Sequence, residues 1–179
     1  ILSCVHECGH ALYPLGIASE LDRTPLADGA SLGFHESQSR LWENQVARSA
    51  AFWRAFLPHL HRYFPGQLAD VSEADFLAAV NRVERSEIRI ESDEVTYNCH
   101  ILLRYDIEKE LIHGRVRCAD LPELWNEKMR EYLHITPADD TRGVLQDVHW
   151  PTGGFGYFPT YTIGNLLAAQ IWELARREL

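Results

Sequence analysis

Apolar residues recur at helical spacing along most of the chain, which predicts a series of amphipathic helices. Short stretches that contain glycine, proline or several polar residues separate these segments and are typical of loops. The predicted helices cover residues 1–12, a run that follows Gly33 and extends to Val46, 49–63, a segment that starts at Ser72, 93–113, 119–133, and the residues from Thr162 onward. A mainly α-helical protein is therefore expected.

One short segment follows a different period. Residues 86–91 alternate charged and apolar side chains, and this period of two predicts a half-exposed β-strand. We therefore expect one short β element in an otherwise helical chain.

The first predicted helix contains His-Glu-x-x-His, formed by His6, Glu7 and His10. Residues four apart lie on one helix face, so both imidazoles can approach a single zinc ion. Glu7 is placed to take a proton from a water molecule on that ion. The alternative is a pair of polar residues on an amphipathic helix, but the apolar neighbours favour the metal because buried histidines need partners.

A catalytic zinc ion usually takes three protein ligands, and Glu36 is the best candidate for the third. It is expected in the first turn of the helix that follows Gly33, where the helix dipole favours a carboxylate. The predicted loop 18–32 is long enough to bring Glu36 over the histidine pair. His35 is the alternative ligand, and Glu36 could instead be an ordinary carboxylate near a helix N-terminus.

The four cysteines, Cys4, Cys8, Cys99 and Cys118, are expected to be free thiols. Cys4 and Cys8 each lie two residues from a histidine of the pair, which is about 200 degrees around the helix, so they point away from the predicted metal. A mixed cysteine and histidine zinc site is therefore unfavourable on this helix.

The net charge of the chain limits its partners. A formal charge of -9 and a pI near 5.4 argue against nucleic acid, because phosphate binding depends on clustered Lys and Arg. The chain has no run of eighteen apolar residues, so no membrane-spanning segment is predicted either.

Four motifs, in order, resemble those of one peptidase family. The segments HECGH, HESQS, IRIESD and GVLQDVHW are similar to the motifs of the M32 metallocarboxypeptidases. Ser92 stands in the third segment where the family pattern has alanine. Four motifs are far more specific than the histidine motif alone.

This resemblance implies a fold and an activity. The fold would be a zincin-like helical metallopeptidase (gluzincin) with a deep groove, mainly α, with a short β element near the active site. The activity would be carboxypeptidase cleavage of a peptide substrate with a free C-terminus, with zinc as the cofactor and cobalt as a possible substitute. A homodimer in the cytoplasm is also implied.

Within this resemblance, His6, His10 and Glu36 hold the metal and Glu7 is the general base. Arg89, in the third motif, is expected to bind the terminal carboxylate of the substrate through its planar guanidinium. The alternative for Arg89 is a surface arginine on a strand, paired with a glutamate.

The last motif and the stretch after it supply three more candidate site residues. His149 is expected to donate a hydrogen bond to the oxyanion that forms when water adds to the peptide carbonyl, and Tyr161 or Tyr157 is expected to assist. Tyr157 is also a candidate contact for the substrate. In another context His149 would more often be a structural histidine.

Two family motifs, His-Pro-Phe and Asp-x-Arg-x-Thr, lie upstream of the metal helix in the family and are absent from this chain. Residues 1–179 are therefore expected to be part of a single catalytic domain whose N-terminal portion and C-terminal tail lie outside the sequence. A metallo-endopeptidase or dipeptidase with the same site, or a catalytically inactive helical fragment, remains the alternative.

Overall fold

A computed structural model describes residues 1–178 and confirms that the chain is mainly helical. The α-helices of this range are α1 (Leu2–Leu15), α2 (Leu32–Arg40), α3 (Ala50–Tyr63), α4 (Glu73–Val80), α5 (Tyr97–Ile112), α6 (Leu121–Leu133) and α7 (Pro159–Glu178). The shorter elements are a π-helical turn at Leu41–Val46 and 3₁₀ turns at Ser19–Leu21, Arg89–Glu91 and Cys118–Asp120.

The strand predicted at residues 86–91 is wrong. The segment forms a 3₁₀ turn, and residues 1–178 contain no strand with which it could pair. Ser86 bonds the backbone of Ile88 through its hydroxyl, and the N–H of Glu91 bonds the carbonyl of Ile88, so the backbone closes on itself. The alternating pattern also misassigned the faces, because Ile90 is exposed and Arg89 is buried.

Three helices begin after a serine whose hydroxyl accepts a backbone N–H of the first turn. This arrangement satisfies one of the donors that a helix N-terminus leaves unpaired. The serines are Ser31 before α2, Ser49 before α3 and Ser72 before α4, with hydroxyl to nitrogen distances of 3.1, 3.2 and 3.2 Å.

Helix α5 begins later than predicted. Asp93 accepts the N–H groups of Val95 and Thr96 and the hydroxyl of Thr96, so it stabilises the turn that precedes the helix. Although burial opposes ionisation of Asp93, these hydrogen bonds outweigh that effect and lower the pKa of the carboxyl. The helix ends as expected before Gly114, which has a φ of 67°.

The chain folds as two compact units, one formed by Ile1–Arg82 with the residues from Ile163 onward and one by Val83–Thr162. In the first unit, α1 packs on α2 with almost no separation between backbones. A Cβ on Gly9 would lie 2.6 Å from Cα of Ser39, so only a hydrogen fits there.

In the second unit, α5 packs against α6 around an apolar core. The fully buried members of this core are Leu103, Ile107, Trp125, Met129 and Leu133. A second buried group, Tyr97, Ile101 and Phe158, joins α5 to the segment before α7.

All four cysteines are free thiols, as predicted. Among residues 1–178, no helix combines the length and the apolar character required to cross a lipid bilayer.

Candidate functional site

The two histidines of α1 lie one above the other on the same face of the helix. The centroids of the His6 and His10 rings are 4.8 Å apart and the ring planes meet at 80°. Both residues are partly buried, whereas Glu7 is exposed. Burial lowers the pKa of His10 and outweighs the negative charge of Glu36, which favours a neutral ring with a free lone pair.

Glu36 of α2 joins this pair. One ligand atom from each of His6, His10 and Glu36 lies within 4.8 Å of the others, and these three residues are called the metal cluster below. Oε2 of Glu36 is 3.3 Å from Nε2 of His10 and 3.8 Å from Nε2 of His6. Glu36 is only 5% exposed, so its carboxylate is directed at the histidines and away from water.

Glu36 does not lie in the first turn of its helix, contrary to the prediction. Ser31 caps α2, so the helix starts at Leu32 and Glu36 falls in the second turn. Proximity to the helix N-terminus therefore does not explain its position. Arg40, one turn later, donates from Nε to Oε1 of Glu36 over 2.8 Å and leaves Oε2 directed at the histidines.

Two glycines allow backbones to approach the metal cluster closely. Gly9 lies between Glu7 and His10 and brings α1 into contact with α2. Gly164 of α7 faces Glu36, and a Cβ at Gly164 would lie 2.7 Å from Cγ and 2.9 Å from Cβ of that glutamate. Any larger side chain at Gly164 would displace Glu36.

Each histidine of the cluster has a partner at its other ring nitrogen. Nδ1 of His6 donates to Oε2 of Glu43 over 2.8 Å. Nδ1 of His10 lies 2.7 Å from Nδ1 of His35, so one of these rings donates and the other accepts. His35, the alternative ligand, thus meets His10 on the side opposite the Nε2 atom that faces Glu36.

Glu43 carries a negative charge within this partly buried group. Burial opposes its ionisation, but the hydrogen bond from His6 and the positive charge of Arg40 outweigh burial and lower the pKa of the carboxyl. Nη1 of Arg40 lies 3.1 Å from Oε2 of Glu43, so one guanidinium holds both Glu36 and Glu43.

The donor set of the metal cluster fits a divalent ion such as zinc. Two neutral imidazole nitrogens and one carboxylate oxygen are the ligands of many catalytic zinc sites. In a tetrahedral site with zinc bonds of ~2.0–2.1 Å, neighbouring ligand atoms lie about 3.3 Å apart. The distance of 3.3 Å between Glu36 and His10 matches this value, and the distance of 3.8 Å between Glu36 and His6 exceeds it by about 0.5 Å.

The second unit contains a buried cluster around Asp147. Arg89 donates to Asp147 from Nη2 over 2.6 Å and to the hydroxyl of Tyr97 from Nη1 over 2.8 Å. Arg104, which is 0% exposed, donates from Nε to the other oxygen of Asp147 over 2.7 Å, and Gln146 accepts from both arginines. Two guanidinium groups thus share one carboxylate, and the cluster carries excess positive charge.

The two arginines of this cluster stabilise the charge of Asp147. Burial disfavours the ionised form of Asp147, but Arg89 and Arg104 outweigh it and lower the pKa of the carboxyl. The pKa of Arg89 is raised, since its bond to Asp147 outweighs its own burial. Arg89 is therefore buried and paired with an aspartate, and the alternative of a surface arginine paired with a glutamate is wrong.

His149, Tyr157 and Tyr161 lie together in this unit. Nε2 of His149 is 3.1 Å from the hydroxyl of Tyr161, and its ring centroid is 5.3 Å from that of Tyr157. The guanidinium carbon of Arg89 lies 4.9 Å from the ring centroid of Tyr161. Burial lowers the pKa of His149, despite the nearby charge of Asp147.

A buried glutamate fixes the loop that carries Tyr157. Glu108 of α5 accepts the indole N–H of Trp150 over 2.8 Å and the backbone N–H of Gly156 over 3.1 Å.

Ser92, which departs from the family pattern, is also accommodated, because its hydroxyl donates to the carbonyl of Ile88 over 3.1 Å.

Sequence reasoning missed several residues that support these clusters. Glu36, Arg40 and Glu43 are four and then three residues apart, which would have indicated one charged helix face. For Gly164 the only signal is a glycine inside a helical pattern. The shared use of Asp147 by two arginines has no local signal, because the partners are far apart in the chain.

A family model described as "Carboxypeptidase Taq (M32) metallopeptidase" matches residues 1–179. The chain is 54% identical over 179 residues to thermostable carboxypeptidase 1 of Thermus thermophilus and 48% identical over 179 residues to carboxypeptidase 1 of Bacillus subtilis. These alignments cover 100% of this chain but only 35% and 36% of those proteins, so the chain spans about a third of their length.

Solved carboxypeptidase structures are also similar to this chain. An M32 carboxypeptidase from Deinococcus radiodurans superposes with a TM-score of 0.94 at 46% identity, and a carboxypeptidase from Pyrococcus furiosus with a TM-score of 0.95 at 44% identity. In both cases the match covers 99% of this chain and 36% of the other chain.

Proposed function

Because the chain belongs to the M32 family of metallopeptidases, we propose that it contributes to a metal-dependent carboxypeptidase, an enzyme that hydrolyses the C-terminal peptide bond of peptides. The observation that carries this proposal is the convergence of His6, His10 and Glu36 to within 4.8 Å of one another. The peptide substrate would need a free C-terminus.

The proposed ligands are Nε2 of His6, Nε2 of His10 and Oε2 of Glu36, and the proposed ion is zinc, with cobalt as a substitute. When bound, such an ion lowers the pKa of a coordinated water and polarises the carbonyl that the water attacks. The fit of the donor set and of its spacing supports this assignment.

Glu7 is the proposed general base. It follows His6 directly on α1 and is exposed, so its carboxylate is accessible to water and substrate. In this mechanism Glu7 takes the proton of the attacking water and passes it to the amine that leaves.

His149 and Tyr161 are the proposed donors to the oxyanion, and Tyr157 is a proposed substrate contact. The hydrogen bond between His149 and Tyr161 supports joint action, because it holds both polar groups in one place. The lowered pKa of His149 favours a neutral ring, whose single N–H can donate either to Tyr161 or to the oxyanion at one time.

Arg89 is the proposed receptor for the terminal carboxylate of the substrate. A guanidinium has five N–H groups, and the bonds to Asp147 and Tyr97 leave one N–H on each terminal nitrogen outside those contacts. The excess positive charge that Arg104 adds to the same cluster favours an incoming anion.

The general base is tested with Glu7→Gln in a protein of full family length. The variant should bind zinc with unchanged affinity and lose turnover, because the amide cannot accept the proton. Metal content and the kcat for an N-terminally blocked dipeptide substrate are measured together. Turnover at the wild-type level would exclude Glu7 as the base.

The carboxypeptidase assignment is tested with matched peptides that end in a free carboxylate or an amide. Cleavage should be lost on amidation, since Arg89 would then have no anion to bind. Equal cleavage of both peptides would instead indicate an endopeptidase, and cleavage confined to dipeptide substrates would indicate a dipeptidase. A protein that takes up neither zinc nor cobalt would be a non-catalytic helical fragment.

We also propose that both compact units belong to one catalytic domain, since the family model spans both of them. The homodimer and the cytoplasmic location implied by the resemblance stay predictions. Light scattering of the purified protein of full family length, and fractionation of its source cells, would test them.

A further inference from the structure

The segment that follows α2 departs from ordinary helix geometry. Residues Leu41–Val46 form a π-helical turn, closed by a hydrogen bond from the N–H of Ala47 to the carbonyl of Trp42 over 2.8 Å. This turn contains one more residue than an α-helical turn and therefore changes the direction in which its side chains project. Glu43 lies within it.

Glu43 is bonded to a residue of the metal cluster, His6. Its Oε2 lies 2.8 Å from Nδ1 of His6 and 3.1 Å from Nη1 of Arg40. Arg40 in turn donates to Glu36, so side-chain bonds link His6, Glu43, Arg40 and Glu36 in sequence. The side chains of Glu43 and His6 are 15% and 17% exposed, so water competes weakly for their hydrogen bond.

We propose that Glu43 is a positioning residue for the metal centre, and this inference rests on the metal-dependent function proposed above. By accepting Nδ1–H of His6, Glu43 fixes the tautomer in which the lone pair is on Nε2, the nitrogen nearer Glu36. The same bond sets the plane of the ring. The π-helical turn provides this contact, because Glu43 is part of it.

Glu43 is not itself a ligand in this arrangement. It meets His6 at Nδ1, whereas Nε2 of the same ring is the atom that lies 3.8 Å from Glu36. His10 has a weaker counterpart, since its Nδ1 meets the ring of His35 and no carboxylate. A charged acceptor gives a stronger bond than a neutral ring, so the effect of Glu43 on the metal should exceed that of His35.

Two substitutions separate the hydrogen bond from the charge of Glu43. Glu43→Gln keeps an acceptor oxygen of nearly the same shape and removes the charge, while Glu43→Leu removes both. Loss of an outer partner of a metal-bound histidine typically lowers metal affinity by about 10–100-fold. We expect the zinc Kd to rise about 10-fold in Glu43→Gln and about 100-fold in Glu43→Leu.

The matched control is Glu73→Gln. It makes the same chemical change at another glutamate of the first unit that is paired with an arginine. Glu73 lies at the start of α4, pairs with Arg54 over 3.6 Å and is not a member of the metal cluster. Its zinc Kd should stay within about twofold of wild type, as expected for a change outside the shell around a metal. Zinc affinity is measured by competition with a chromophoric chelator, and the visible spectrum of the cobalt form reports the geometry at the ion.

The outcomes separate this inference from the proposed function. The wild-type chain could bind zinc while both Glu43 variants are folded by circular dichroism and keep the wild-type zinc Kd and cobalt spectrum. That result would overturn the role of Glu43 but not the proposed metal-dependent function. A wild-type chain that binds neither zinc nor cobalt would overturn both proposals. Because Glu43→Gln is nearly isosteric, it keeps the test valid if Glu43→Leu fails to fold.

Discussion

Gly164→Ala should disable the metal cluster with little effect on the fold. Gly164 lies in α7, and its missing side chain leaves the space that Glu36 occupies. The added Cβ would be 2.7 Å from Cγ, 2.9 Å from Cβ and 3.1 Å from the carbonyl carbon of Glu36. Two of these three contacts involve the side chain whose carboxylate faces His6 and His10.

The size of the effect follows from these distances. Carbon atoms in contact are normally about 3.5–4.0 Å apart, so Glu36 or α7 must move by about 1 Å. Coordination bonds tolerate shifts of only about 0.2 Å, so the carboxylate would leave its place in the donor set. The zinc Kd should therefore rise by about 100-fold or more, beyond the usual effect of losing an outer partner.

The change in stability should be much smaller. Overpacking of a buried site costs about 1–3 kcal/mol, while alanine in place of glycine inside a helix gains about 1 kcal/mol. The net loss in the free energy of unfolding should therefore be about 0–2 kcal/mol. A large loss of zinc affinity with a small loss of stability is the expected signature.

The assay measures zinc Kd by chelator competition and the free energy of unfolding by urea denaturation of the metal-free chain. Gly66→Ala is the control, because a Cβ there has no atom within 4 Å. Glu36→Gln sets the scale for a weakened third ligand. If Gly164→Ala binds zinc as tightly as Gly66→Ala, then the space at Gly164 does not hold Glu36 in place.

Two further predictions concern the second unit. Burial and the nearby charge of Arg104 lower the pKa of His100 from 6.5 to about 3, so between these pH values the unfolded chain binds a proton that the folded chain does not. Acidification from pH 7 to pH 5 should thus lower the free energy of unfolding by about 2 kcal/mol. Urea titrations of His100→Gln should show a weaker dependence of this free energy on pH. A pH dependence equal to that of the wild type would contradict the lowered pKa of His100. Asp147→Asn leaves Arg89 and Arg104 without their shared carboxylate and should lower the free energy of unfolding by about 3–5 kcal/mol. Asp120→Asn removes an exposed ion pair with Arg117 and should leave the free energy of unfolding unchanged. Equal effects of the two variants would show that burial of the Asp147 ion pairs is unimportant for stability.

Much of the helical architecture could be read from local pattern. The serines before α2, α3 and α4 mark helix starts, and the four-residue spacing of His6 and His10 places both rings on one face. These features depend on residues within one or two turns of each other. The strand prediction for residues 86–91 was wrong because a strand also needs a partner strand, which a local period of two does not report.

Most contacts that complete the candidate sites depend on the tertiary structure. That Glu36 faces the histidine pair depends on how α1 and α2 pack at Gly9 and on the space at Gly164. The role of Glu43 depends on a π-helical turn that the spacing of apolar residues did not reveal. Asp147 could not be matched to both arginines from sequence position alone.

The sequence by itself determined the helical fold class, the histidine pair with its neighbouring glutamate, and the resemblance to the M32 family. The tertiary structure decided which carboxylate joins the pair, which partners orient the two imidazoles, and whether Arg89 is exposed or buried. The physical reason is that periodicity and capping report the local conformation of the backbone. Contacts between segments instead depend on side-chain packing and on the paths of the connecting loops, which no local pattern specifies.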